Sequence, residues 1–99
     1  MGRPARKLPV ELAGEPWPES PSTDPIGEVA RQLVLNLHSA MSGRSIRSVA
    51  AESGVGNVTL SMVLAGRAWP DLATIARLEA GLDVELWPRR AVTPSPAGT

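Results

Sequence analysis

Apolar positions repeat with a helical period through the middle of the chain and lose it at both ends. Ile26, Val29, Ala30, Leu33, Val34, Leu37 and Met41 follow i, i+3, i+4, i+7 spacing and make one stripe along a helix. Asp24 caps it, Pro25 suits its first turn, and Ser42 and Gly43 end it. A second, shorter helix fits residues 45–53, with Ser45 as cap and Ile46, Val49 and Ala50 inside. Gly54 then supplies a sharp exit and Val55 an apolar foot. A third fits residues 57–65. Leu60 and Val63 point inward there, Leu64 lies at the edge, and Asn57, Val58, Ser61 and Met62 point outward. A fourth starts at the cap Asp71 and runs to about Gly81, with Leu72, Ile75, Leu78 and Leu82 on one face. Residues 84–87 alternate apolar and polar and fit a short strand or an extended packing segment before Pro88.

The ends read differently. Six of the prolines lie in the first quarter of the chain, and two more lie within its last six residues. Proline removes a backbone donor and blocks helix continuation. The expected organisation is a flexible proline-rich arm over 1–23, a compact four-helix domain over 24–88 and a flexible tail over 89–99. The predicted class is all-α.

Charge and composition narrow the chemistry. Ten basic residues balance ten acidic ones, which excludes a generally basic nucleic-acid coat but not a local basic face. There is no cysteine and one histidine, so disulfide scaffolds, thiol nucleophiles and cysteine metal sites are excluded. His38 lacks partners for a metal and reads as a surface residue of the first helix. No phosphate-cradling glycine loop, nucleophile elbow or His-Glu zinc helix is present, so no enzyme and no cofactor are expected. No apolar run approaches the ~18 residues of a membrane helix. Residues 1–7 are basic but lead into no apolar stretch, so they do not read as a signal peptide, and the expected location is cytoplasmic.

The second and third helices carry the functional signal. Two short helices joined by a glycine-containing turn make a helix-turn-helix, and small Ala50 lets the second helix approach the first. Residues 45–88 resemble the Cro and phage-repressor type of helix-turn-helix, a lambda-repressor-like domain. The matching marks are Val49-Ala50, Gly54-Val55, Thr59-Leu60-Ser61, Gly66, Pro70, Thr74-Ile75, Leu78 and Leu82-Asp83-Val84. The resemblance implies a regulator, of repressor type, that binds double-stranded operator DNA. A homodimer is expected, because pairing would add core to a small domain and double its contacts to a palindromic site, and no small-molecule ligand is expected. It places base reading on Asn57, Val58, Ser61 and Met62. It places phosphate contacts on Arg44, Ser45, Arg47, Thr59 and Arg67. Arg3, Arg6 and Lys7 are candidate contacts of an N-terminal minor-groove arm. Four features depart from the family pattern. Gly56 stands where a capping Ser is common, Ile46 where a Gln touches phosphate, and Met62 where a long polar reader is usual. Pro88 stops the fifth helix with which the family usually continues.

Around the motif, Arg44, Arg47 and Arg67 face a single acid, Glu52. That grouping favours DNA over the plainer reading of three solvated arginines. The alternatives are an antitoxin that binds its own operator and a helix-turn-helix module that binds another protein, for which Val58 and Met62 are suited. Trp69 and Trp87 read as lids on a small core. Residues 84–87 are the expected dimer contact.

Overall fold

The computed structural model describes residues 6–88. The expected tail 89–99 and the arm residue Arg3 lie outside the described residues. The described part is all-α, with five helices and no strand.

Four of the helices are those expected from periodicity. α2, Pro25–Met41, opens where the Asp24 carboxylate accepts from the backbone N–H groups of Ile26 and Gly27, at 2.9 Å each. It buries Ala30, Leu33, Val34, Leu37 and Met41. The buried stripe begins later than the period predicts: Ile26 is 61% exposed and Val29 40%. α3, Ile46–Ser53, is capped by Ser45 Oγ, which accepts from Ser48 N–H at 3.0 Å. α4, Asn57–Leu64, buries Leu60, Val63 and Leu64. α5, Leu72–Leu82, is capped by Asp71, which accepts from Thr74 N–H at 2.8 Å. It buries Ile75 and Leu78, whereas Leu72, assigned to its inner face, is at the helix start and exposed. The core joins Val34, Leu37 and Met41 of α2 to Val49 and Ala50 of α3, Leu60 and Val63 of α4, and Leu78. Gly81 lets α5 approach α3, because a Cβ there would stand 2.7 Å from the Ser53 Cα.

Residues 84–87 form no strand and take the packing alternative. Leu86 is fully buried. The Leu86 and Trp87 N–H groups donate to Glu79 Oε2 at 2.7 and 3.1 Å, and Asn36 Nδ2 donates to the Leu86 carbonyl at 2.9 Å. The central residue of the expected dimer contact is thus part of its own core. Val84 and Trp87 stay exposed.

The N-terminal segment corrects the four-helix expectation. Within the expected arm, residues 6–23 pack on the domain. Pro9–Ala13 forms α1, with proline at the first turn, where its missing N–H costs nothing. Glu11 Oε1 accepts from Leu8 N–H at 2.7 Å and holds that turn. α1 lies against α2 at Gly27, where a Cβ would meet the Leu12 Cβ at 2.7 Å. Glu28 then ties the following loop: it accepts from Ser22 N–H, from the Arg31 guanidinium and from Gln32 Nε2. Arg31 in turn donates to the Pro18 carbonyl at 3.0 Å. Proline density suggested an unpacked arm, but Leu8, Pro9, Leu12, Trp17 and Pro18 bring enough apolar surface to dock.

Candidate nucleic-acid interface

The register of α4 follows from its buried side. Leu60 and Val63 are sealed in the core, and that fixes which residues face out. Asn57, Val58, Ser61 and Met62 share one open groove with Ile46 and Arg47 of α3. All four base-reading candidates are therefore brought together, and Arg47 stands beside them. Val58 is 76% exposed and Met62 39%, so apolar contact surface is displayed within a polar frame. Gly56 gives α4 no side-chain cap.

The far end of α4 closes in a Schellman arrangement. Arg67 N–H donates to the Met62 carbonyl at 2.9 Å and Gly66 N–H to the Val63 carbonyl at 3.0 Å, with Gly66 at φ +72°. Arg67 is thereby anchored by its backbone to the residue that ends the outward face. A positive φ favours glycine here, and Trp17 adds a second reason: a Cβ on Gly66 would meet the indole Cε2 at 2.7 Å.

The remaining phosphate candidates differ in their freedom. Arg47 and Arg67 are exposed and in no ion pair among the described residues. Thr59 is exposed on α4. Ser45 is exposed, and its oxygen already accepts the α3 cap bond. Arg44 is not free. Its guanidinium pairs with Glu52 and donates to Ser48 Oγ at 3.3 Å. The basic excess around the motif is thus carried by Arg47 and Arg67.

Two tryptophans have roles that periodicity does not show. Trp17 packs against the core and donates its Nε1 to the Leu64 carbonyl at 2.9 Å. Trp69 is half-buried and donates its Nε1 to the Lys7 carbonyl at 2.9 Å. The Arg6 guanidinium lies over the Trp69 ring, 5.6 Å from its centroid. Arg6 and Lys7, expected on an arm, are thus held against the loop that follows α4. The signal available in the sequence was the apolar content of residues 8–18; its docking partner, 47 positions from Trp17, left no local mark.

Residues 41–86 match a family model described as helix-turn-helix. No curated protein and no solved structure matches the chain. Among the described residues, no helix is long and apolar enough to cross a membrane.

Proposed function

We propose that the chain, whose residues 41–86 match a helix-turn-helix family model, is a sequence-specific repressor of transcription of Cro and phage-repressor type, acting on double-stranded operator DNA. The observation that carries this is the single groove shared by Asn57, Val58, Ser61, Met62 and Arg47. A major groove ~12 Å wide admits one helix, and α4 offers it a face set by the core. Asn57 has the donor and acceptor for a bidentate pair with adenine. Ser61 is less selective, and Val58 and Met62 suit a thymine methyl, so A·T pairs are favoured. Arg47 and Arg67 neutralise phosphates, with Ser45 and Thr59 as hydroxyl contacts, and fix position without reading sequence. Repression then needs occupancy alone, with no cofactor or small-molecule ligand.

Selection from a random duplex pool tests this. The expected product is an enriched, A·T-rich sequence; a pool that stays random would contradict it. The exposure of Val58 and Met62 also favours a second reading, in which this face binds another protein, as in an antitoxin. Retention on heparin at low salt, lost as salt rises, supports DNA; passage without retention supports the protein partner.

A further inference from the structure

The loop after α4 carries cations from two distant parts of the sequence. Val10 N–H donates to the Gly66 carbonyl at 2.9 Å, and Trp69 Nε1 donates to the Lys7 carbonyl, so residues 7–10 run alongside residues 66–69. Arg6, Lys7 and Arg67 are all exposed there. Arg6 is held over the Trp69 ring. The Lys7 ammonium has no partner among the described residues. The acids nearest in sequence, Glu11 and Asp71, accept from the Leu8 and Thr74 N–H groups, and no ion pair joins them to these cations among the described residues.

These cations stand where a DNA-binding helix has an electrostatic weakness. The last carbonyls of a helix form the negative end of its dipole, which repels a phosphate. Trp17 Nε1 satisfies one of them, at Leu64, and Gly66 and Arg67 N–H groups satisfy two more. Through Trp17 the strap of residues 6–22 adds to that local capping, and it brings positive charge to the α4 terminus.

We infer that this strap is part of the DNA interface, and that Lys7 and Arg67 together contact backbone phosphates at the C-terminal end of α4, opposite the contact made by Arg47. This rests on the DNA-binding reading above and replaces a free minor-groove arm with a docked one. Arg6 positions the strap through Trp69, and Lys7 makes the contact. Because phosphates carry no sequence information, the strap adds affinity to every duplex alike.

The test uses the full chain and a mixed-sequence duplex, with affinity measured across a salt series. Lys7→Ala is expected to lower the slope of log K against log salt by ~0.9, the value for one phosphate contact. Lys7→Arg is expected to keep the slope, and the thermal midpoint is expected to stay unchanged, since Lys7 is exposed. Arg47→Ala is run in parallel. If Arg47→Ala lowers the slope and Lys7→Ala does not, the strap is no part of the interface and the DNA reading stands. If neither lowers it, both fail.

Discussion

Glu28 shows how one carboxylate can fasten a segment. The Arg31 guanidinium, then the Gln32 amide, then the Ser22 N–H hold its pKa at about 2, below the ordinary 4.5. A carboxyl whose pKa is depressed by folding stabilises the fold fully above its unfolded value, and the benefit fades as pH falls towards the folded value. Unfolding free energy should therefore drop by about 2 kcal/mol between pH ~5 and ~2 on this account, after a discount for partial solvent exposure. Denaturant titrations across that range should show the drop in the native chain and little of it in Glu28→Gln; parallel curves would refute it. Gly81 presents the opposite case, a helix residue where alanine ought to help. Helix propensity alone would favour Gly81→Ala by ~1 kcal/mol. The new Cβ, however, would stand 2.5 Å from Ser53 Oγ and 2.7 Å from Ser53 Cα, so α3 must move. A net loss of ~1–3 kcal/mol is expected. Ser53→Ala should be neutral or stabilising, since the Ser53 hydroxyl is buried with no partner among the described residues. Thermal melts of both variants check these signs.

The helices differ in how openly the sequence declares them. α2, α3, α4 and α5 were legible because each pairs a periodic apolar stripe with a cap or breaker: Asp24, Ser45, Gly54, Gly66, Asp71. Stripe ends were less legible, since Ile26 and Leu72 continue the period one position past where a neighbour exists to cover them. α1 was not legible. Five residues give no usable period, and its stability comes from Gly27 and from the loop tied by Glu28, both far along the chain. Within the site, the outward set on α4 could be derived from Leu60 and Val63 alone. The engagement of Arg44 could not, because its partner Glu52 lies eight positions away, across the length of α3. That pairing separates two arginines that look equivalent in sequence. Arg47→Ala is expected to lower the salt slope of DNA binding by about one. Arg44→Ala is expected to change it by less, since Glu52 already neutralises that charge. Equal slopes for the two variants would show that the Arg44–Glu52 pair opens on DNA.

The chain offers one small core and one helix proposed to read DNA. A single helix contacts few base pairs, so selectivity on a genome calls for two copies on a two-fold site. We expect a homodimer on DNA with half-sites ~10 base pairs apart. Sedimentation of the complex with a selected duplex should give two protomers per site, and a single protomer on a non-repeated sequence would contradict it. Leu86 is committed to the core, so any contribution of residues 84–87 to that pairing comes from Val84 and Trp87.

If α4 reads sequence as proposed, Asn57 is the residue whose loss should show it. Binding of the native chain and of Asn57→Ala should be compared on the selected duplex and on a scrambled one. The expected result is a loss of ~1–3 kcal/mol on the selected duplex, relaxed selectivity at one base pair, and near-equal binding to the scrambled one. If the ratio of affinities between the two duplexes is unchanged by Asn57→Ala, α4 is not the reading helix.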